Sequence, residues 1–359
     1  MSSPLFEPLQ LGSLALPNRI IMAPLTRCRA TDDRVPTQLM AEYYAQRSSA
    51  GMILSEATSV HPTGVGYPNT PGIWSEAQTE GWKKVTNAVH QAEGRIMLQL
   101  WHVGRISHPK YLDGDLPVAP SAIAATGHVS LVRPQTSYPT PHALTLEEIK
   151  ELVEAFHQGA QNAKIAGFDG VQLHAANGYL IDQFLQSSTN HRDDAYGGPI
   201  ENRARFLLEV LDAVLAVWEP GRIGVHLAPR GDAHDMGDEN PRELFTHVAE
   251  ALGRRNIAFI SAREHHHETP LGPEMKNAFG GPFIANEQFD ASSAEELIEC
   301  GQGDAVAFGK LFIANPDLVE RFHTGAKLNE PDPETFYHLG SHPIEQGYTD
   351  YPSLATTPA

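Results

Sequence analysis

The chain has 359 residues, of which 41% are hydrophobic and 19% are charged, and its formal net charge at pH 7 is −18. This composition is typical of a soluble globular protein, and the length allows two domains or one large α/β barrel. The negative charge argues against nucleic acid or an anionic membrane surface as a partner. The two cysteines, Cys28 and Cys300, form no CxxC motif, which favours a reducing compartment.

No targeting or membrane segment is predicted. The first ten residues, MSSPLFEPLQ, contain neither a basic segment nor an apolar core, so they do not resemble a signal peptide. No apolar run approaches the ~20 residues that cross a bilayer. We therefore expect a cytoplasmic protein. Nothing in the sequence indicates an activated thiol at Cys28.

Eight short apolar runs predict parallel β-strands that are covered on both faces. They are RIIMA (19–23), GMILSEA (51–57), RIMLQLW (95–101), GVQLH (170–174), RIGVHLA (222–228), IAFISA (257–262), PFIAN (282–286) and DAVAFG (304–309). Helical patterns alternate with them at 37–49, 75–93, 145–167, 200–218, 240–255, 292–301 and 315–325. Thr145 is expected to cap the third helix and Gly167 to end it. The alternation predicts an α/β fold, a single TIM (β/α)8 barrel spanning residues 1–359.

Three segments depart from this repeat. Residues 5–17, LFEPLQLGSLALP, predict a hairpin that plugs the barrel floor. Residues 103–144 form a long loop rich in Pro, Ser, Thr and His after the third strand. Loops of this length in compact domains are usually functional, so we predict a lid over the barrel mouth. The tail from residue 330 is expected to pack across the barrel.

In a TIM barrel, functional side chains gather at the carboxyl ends of the strands. The fourth strand ends in HAANGYL (174–180), where His174, Asn177 and Tyr179 could bind an electron-rich oxygen and deliver a proton. A phosphate is favoured after strands seven and eight, where Gly309 and Lys310 offer backbone and charge. The spacing there is not that of a Walker P-loop, and no GxGxxG motif opens a helix.

Seven motifs, in order and from about residue 5 to residue 354, resemble the Old Yellow Enzyme family of FMN-dependent ene-reductases. The bacterial xenobiotic reductase and N-ethylmaleimide reductase branch is the most similar. The motifs are APLTR (23–27), EAT (56–58), QLWHVGR (99–105), HAANGYL (174–180), YGGPIENRARF (196–206), VAFGKLFIANPDL (306–318) and TFY with GYTDYPSL (335–337 and 347–354).

This resemblance implies a non-covalent FMN over the barrel mouth. Pro24 and Thr26 are expected to contact the flavin ring, with Thr26 bonding its O4 edge, and Ala57 and Gln99 to line its pyrimidine side. The phosphate is expected to take backbone N–H groups and one cation from Glu287, Gln288, Gly309 and Lys310. We expect NADPH or NADH to be the reductant in a ping-pong cycle, and a monomer is the default expectation.

The resemblance also implies the substrate site. His174 and Asn177 are expected to hold a carbonyl or nitro oxygen, and Tyr179 to be the proton donor. The pocket is expected to be shaped by Tyr67, Trp101 and Tyr337. Hydride transfer from flavin N5 to an activated alkene builds negative charge on that oxygen, which two preorganised donors would stabilise. The expected substrates are enones, maleimides, nitroalkenes, and nitrate esters or nitroaromatics.

The chain leaves the family pattern at three positions. His226 stands where most relatives carry an arginine that faces flavin N1 and O2. It could be a neutral hydrogen-bonding residue or a protonated one, or Arg263 or Arg230 could supply the cation instead. Glu287 and Lys310 stand where many relatives carry glycine and arginine. We expect the Glu287 side chain to point away from the phosphate, since two like charges would repel.

Two other functions remain to be weighed. A metal-dependent TIM-barrel hydrolase could use His174 and His226, although strands one and eight end in residues that are not metal ligands. A non-catalytic FMN-binding protein is the other alternative, and the donor pair with Tyr179 argues against it. The sequence HHHE (265–268) is expected to be a solvated loop and not a metal site.

Overall fold

The computed structural model describes residues 3–264 and 269–355. The stretch HHHE therefore lies outside the described residues. The strands in chain order are β1 (Leu9–Leu11), β2 (Leu14–Leu16), β3 (Ile20–Met22), β4 (Met52–Leu54), β5 (Thr58–Ser59), β6 (Ile96–Trp101), β7 (Val118–Ala119), β8 (His142–Ala143), β9 (Gly170–Ala175), β10 (Ile223–Leu227), β11 (Phe259–Arg263), β12 (Phe283–Asn286) and β13 (Ala305–Phe308).

The α-helices surround these strands, and short 3-10 turns lie between them. The helices are α1 (Gln38–Ala45), α2 (Glu76–Gln91), α3 (Leu146–Ile165), α4 (Leu180–Leu185), α5 (Ile200–Arg203), α6 (Arg205–Leu215), α7 (Pro241–Gly253), α8 (Gly272–Phe279), α9 (Ala291–Glu299), α10 (Lys310–Ala314) and α11 (Leu318–Thr324). Among the helices in the described part of the chain, none has the length and apolar content that a membrane span requires.

Eight parallel strands close into a barrel, which confirms the predicted TIM fold. Their order around the barrel is β4, β3, β13, β12, β11, β10, β9 and β6, and pairing of β6 with β4 completes the ring. All eight predicted strands are present, and all but β9 are shorter than their apolar runs. Most residues of these strands are buried, as expected for a parallel sheet with helices outside and side chains inside.

The barrel interior is packed down to its floor. At its centre Phe259 takes the space that a side chain at position 224 would fill, since a Cβ on Gly224 would lie 2.2 Å from the Phe259 ring. Strands β1 and β2 form an antiparallel hairpin. Leu11, Leu14 and Leu16 of this hairpin share one buried cluster with the inward side chains of the barrel. The predicted hairpin plug is therefore confirmed.

The 103–144 segment, which we call the lid, packs over the carboxyl end of the barrel. Its apolar side chains join one buried cluster with Tyr67 and Trp101 through Val103, Ile106, Ala125, Val129, Val132 and Tyr138. The Arg105 guanidinium donates to the carbonyl oxygen of His234 at 2.6 Å. The Thr126 backbone N–H donates to the Asp235 carboxylate at 2.5 Å. The lid is thus fastened to the loop after β10.

The C-terminal tail, which was predicted to pack across the barrel, packs against α1 and the segment that follows β3. The buried Arg27 and Arg29 of that segment donate to the carbonyl oxygens of Gly347 and Ile344 at 2.7 and 2.9 Å. Arg47 is fully buried and donates to the carbonyl oxygens of Phe312, Ile313 and Tyr348 at 2.8, 2.8 and 3.2 Å. Its guanidinium lies 3.8 Å from the centroid of the Tyr43 ring. Such hydrogen bonds satisfy backbone groups of a tail that has little regular structure of its own.

Three helices were not predicted from the sequence: α4, α8 and α10. Helices α4 and α10 have six and five residues, and most of their side chains are buried, so they show no amphipathic pattern. Helix α8 begins with Gly272 and Pro273, which also mark turns. The predicted helix at 200–218 is divided into α5 and α6, and the predicted capping of α3 by Thr145 is confirmed.

Candidate active site

His174 is the innermost of the three residues of the HAANGYL motif that were predicted to act. It lies in β9 with its side chain buried, and its Nδ1 atom has no hydrogen-bond partner among the described residues. Burial, and then electrostatic interactions with His226 and Arg263, lower the pKa of His174 well below its usual value. The imidazole is therefore neutral at pH 7, and it can offer one N–H to a ligand.

Tyr179 lies beside His174 and is surrounded by aromatic rings. The Tyr179 ring centroid is 5.0 Å from that of His174 and 5.0 Å from that of Trp101, both in edge-to-face geometry. The Tyr179 hydroxyl is 2.8 Å from the Tyr67 hydroxyl. Burial raises the pKa of Tyr179, so the hydroxyl keeps its proton at pH 7. The Trp101 Nε1 atom is a second buried donor without a partner in the described part of the chain.

A hydrogen-bonded row of side chains crosses the barrel beneath these residues. The Gln99 amide donates to Gln172 at 2.8 Å, and the Gln172 amide donates to the Ser261 hydroxyl at 3.0 Å. The Gln99 amide nitrogen also lies 3.5 Å from Nδ1 of His226. Burial, with a smaller contribution from Arg263, lowers the pKa of His226 to about 4. Of the possibilities for this position, the structure favours a neutral hydrogen-bonding histidine.

Arg263 connects two of the loops at the barrel mouth. It is the last residue of β11, and one guanidinium nitrogen donates to the side-chain oxygen of Asn177 at 3.1 Å. The other donates to the Glu287 carboxylate at 2.8 Å. Arg230, the second arginine considered for this role, pairs with Glu264 at 3.0 Å. Of these two arginines, Arg263 is the one that contacts the HAANGYL motif.

The predicted phosphate loops follow β12 and β13. Glu287 and Gln288 have φ angles of 100° and 60°, in the left-handed region that favours glycine. A left-handed backbone costs about 1–2 kcal/mol for each of these two residues, and such strain is common at ligand sites. Gly309 is half-buried, and the Lys310 side chain is exposed.

The remaining predicted residues lie around the same mouth. Pro24 and Thr26 follow β3 and are partly exposed, and Ala57 is buried just after β4. Tyr337, in the tail, has 42% of its surface exposed. The Tyr337 hydroxyl makes a smaller contribution to the raised pKa of Tyr179 than the burial of Tyr179 itself. The Cys28 thiol is buried, and burial together with Glu56 raises its pKa to about 12, so it is not an activated nucleophile.

A shell of polar residues that the sequence did not reveal holds the motif in place. Gly178, with φ of 76°, donates its N–H to the buried Asp182 at 2.9 Å, and its carbonyl accepts from Gln183 at 2.7 Å. Gln183 also donates to the carbonyl of Val103 at 3.0 Å. A side chain at position 104 would collide with Gln183, since a Cβ there would lie 2.2 Å from its amide oxygen. The motif and the base of the lid are thus built as one unit.

Comparison with known proteins identifies the family. The chain matches the NADH:flavin oxidoreductase / NADH oxidase family over residues 4–329. The chain belongs to this family. It is 43% identical to a probable flavin mononucleotide-dependent alkene reductase of Leishmania infantum, over 98% of this chain and 97% of that protein.

Solved structures agree. An old yellow enzyme homologue from Zymomonas mobilis is 45% identical with a TM-score of 0.93, over 97% of this chain and 99% of that one. Morphinone reductase in complex with tetrahydroNAD is 51% identical with a TM-score of 0.92, over 98% of this chain and 97% of that one. The family resemblance predicted from the motifs is confirmed, and this family member is an FMN-dependent NAD(P)H oxidoreductase.

The residues at the barrel mouth are chemically suited to FMN. Two buried donors, His174 Nδ1 and Trp101 Nε1, have no partner among the described residues, which suits a site that takes a ligand with hydrogen-bond acceptors above a flavin. The exposed Lys310 can pair with a phosphate. No three His, Cys, Asp or Glu side chains within residues 3–264 and 269–355 are grouped to hold a metal ion. The metal-dependent hydrolase alternative is rejected because the chain belongs to a flavin oxidoreductase family.

Proposed function

We propose that the protein reduces activated C=C bonds, with FMN as its cofactor and NAD(P)H as its reductant. The observation that carries the proposal is the placement of an unpartnered buried donor, His174 Nδ1, beside a protonated hydroxyl, that of Tyr179. Relatives include a probable alkene reductase and plant 12-oxophytodienoate reductases, which fit the same class of substrate. Enones, maleimides and nitroalkenes are the proposed substrates, with nitrate esters or nitroaromatics as further oxidants.

His174 and Asn177 are proposed to bind the oxygen that is conjugated with the alkene. FMN, when bound, would supply the hydride for the β-carbon, and the conjugated oxygen would then carry the developing negative charge. His174 donates as a neutral imidazole, because burial holds its pKa far below 7. The Arg263 contact occupies the Asn177 side-chain oxygen, which orients the amide so that its NH2 group is left for the substrate. Each such donor contributes about 3 kcal/mol at the transition state.

Tyr179 is proposed to deliver the proton to the α-carbon. Its raised pKa guarantees that the proton is present at pH 7, and it also makes the group a weaker acid. The hydrogen bond with Tyr67 offsets part of this effect, since it lowers the pKa of Tyr179. In the arrangement in which Tyr67 donates, it stabilises the phenolate that remains after the transfer.

The cofactor contacts are proposed in two groups. Pro24, Thr26, Ala57, Gln99 and His226 line the flavin ring, and the substrate pocket is shaped by Tyr67, Trp101 and Tyr337. The phosphate is bound by backbone N–H groups and one cation at Glu287, Gln288, Gly309 and Lys310. We further propose a cytoplasmic monomer that forms one domain over residues 1–359 and uses NADPH or NADH as its reductant.

Purified holoprotein tests the proposal. The account predicts a yellow protein whose flavin absorption bleaches with NADPH under anaerobic conditions and returns when 2-cyclohexenone is added. Bleaching that no enone, maleimide, nitroalkene or nitrate ester reverses would leave only a flavin-binding protein. A colourless protein that does not take up FMN would overturn the proposal.

A further inference from the structure

Arg263 occupies a position that binds two functional loops together. Its guanidinium donates to Asn177 Oδ1 at 3.1 Å and to Glu287 Oε1 at 2.8 Å. Asn177 belongs to the proposed substrate site, and Glu287 belongs to the proposed phosphate loop. The Arg263 side chain is partly exposed at the barrel mouth, with 37% of its surface accessible. Its charge is therefore available to a ligand that lies between these loops.

Other basic groups near the mouth do not take this role. Arg230 is held by the Glu264 carboxylate at 3.0 Å and by the Thr269 carbonyl at 2.8 Å. His226 is neutral at pH 7, because burial lowers its pKa. The electric field of Arg263 reaches the mouth. It is a smaller cause than burial of the lowered pKa values of both His174 and His226.

This charge matters because of what reduction does to a flavin. Hydride transfer from NAD(P)H gives NAD(P)⁺ and leaves FMN with two more electrons and one more proton, as an anion. A fixed cation beside the ring stabilises that anion more than the neutral oxidised ring, and so raises the midpoint potential. We propose that Arg263, at the end of β11, is the cation that stabilises reduced FMN in this protein, while His226 in β10 contributes no charge. The inference rests on the proposed FMN site.

Glu287 sets the strength of this effect. Its carboxylate pairs with the Arg263 guanidinium and partly cancels the positive charge, so it opposes the stabilisation of a flavin anion. Removing the carboxylate should therefore raise the potential, and removing the guanidinium should lower it. Arg263 could instead serve only to neutralise Glu287. The two roles differ in a double variant, in which neither charge is present.

The test is the midpoint potential of bound FMN, measured anaerobically on purified holoprotein without any substrate. Arg263→Gln is expected to weaken binding of reduced FMN relative to oxidised FMN by about tenfold, a potential lower by about 30 mV for a two-electron couple. Glu287→Gln is expected to shift the potential upwards. Arg263→Lys, which keeps the charge, should retain most of the wild-type value.

The double variant and a matched control decide between the roles. In the double variant Arg263→Gln with Glu287→Gln, the potential is expected to stay below that of Glu287→Gln alone. Arg230→Gln, which removes the arginine paired with Glu264, is expected to leave the potential unchanged. A wild-type potential in Arg263→Gln, or a potential in the double variant equal to that of Glu287→Gln alone, would overturn the inference and leave the proposed function standing. A wild-type protein that binds no FMN would overturn both.

Discussion

The hydroxyl oxygens of Tyr67 and Tyr179 lie 2.8 Å apart at the end of β9, and both rings pack against Trp101. Burial raises the pKa of each phenol, so this pair stays protonated across the physiological pH range. Of the two rings, Tyr179 is the one beside His174. The pair therefore consists of the proposed proton donor, Tyr179, and a second phenol, Tyr67, that supports it.

Removing the Tyr179 hydroxyl should slow reoxidation of the flavin and leave its reduction unaffected. Tyr179→Phe keeps the ring packing and removes the acid, so reoxidation by 2-cyclohexenone is expected to slow about 10²–10⁴-fold. Stopped-flow absorbance of the two half-reactions measures this separately for NADPH and for the enone. Tyr67→Phe is the matched variant, with a smaller expected loss because Tyr179 is retained. Equal losses in both variants would mean that Tyr179 has no special role.

Moving the positive charge from one strand to the next should restore the flavin potential. His226→Arg alone is expected to raise the midpoint potential of FMN, since it adds a cation beside the proposed ring site. In the double variant His226→Arg with Arg263→Gln, the potential is expected to recover from the decrease caused by Arg263→Gln. The measurement is the same anaerobic titration. A potential in His226→Arg that is unchanged or lower than wild type would contradict the interpretation.

The buried His226 should make the protein sensitive to acid. Its pKa is about 4 in the folded protein and 6.5 in the reference state, so below pH 6.5 the unfolded chain binds a proton that the folded chain does not. Stability therefore falls as the pH decreases through this window, by about 2 kcal/mol for this residue between pH 6.5 and 5. His226→Gln, which cannot titrate, is expected to lose less stability over that interval in urea unfolding. A wild-type slope in this variant would rule out the effect.

Lys310 should contribute to FMN affinity through charge. A hydrogen bond to a charged group is worth about 1.5–3 kcal/mol, so Lys310→Ala is expected to weaken FMN binding about 10–100-fold. Lys310→Arg, which offers a bidentate fork, should bind at least as tightly as wild type. Fluorescence titration of apoprotein with FMN measures both. Riboflavin, which lacks the phosphate, serves as the control ligand. Equal losses of affinity for FMN and riboflavin would mean that Lys310 does not act on the phosphate.

Arg47 should stabilise the fold without a role in chemistry. Arg47→Met removes the donor to three tail and helix carbonyls that are buried, with an expected loss of about 3 kcal/mol in the free energy of unfolding. Arg254→Met is the matched control, because Arg254 is exposed and its pairing with Glu250 at 3.7 Å is expected to contribute little. Urea unfolding followed by circular dichroism distinguishes the two. Similar losses in both variants would contradict the role assigned to the buried arginine.

The barrel could be predicted from the sequence because its eight strands are continuous apolar runs that alternate with helical patterns. The short helices α4 and α10 could not be predicted in this way. Helix α10 begins directly after the predicted strand run 304–309 and has only five residues, and the side chains of α4 are buried on every side. Helical periodicity is read from a long alternation of buried and exposed faces, and α4 and α10 are too short and too largely buried to show one.

The candidate site was predictable where its residues are neighbours in sequence. His174, Asn177 and Tyr179 lie within six residues, so one motif revealed them. The contacts of Arg263 span 86 residues to Asn177 and 24 to Glu287, and they depend on which strands are adjacent and in what register. The neutral state of His226 likewise follows from burial, which no local pattern shows.

A single turnover tests the central claim most directly. The holoprotein is reduced anaerobically with one equivalent of NADPH per FMN, mixed with 2-cyclohexenone, and analysed for product by gas chromatography. The account predicts one cyclohexanone per flavin, formed at the rate at which the yellow colour returns. A flavin that stays reduced, or one that reoxidises without forming cyclohexanone, would contradict it.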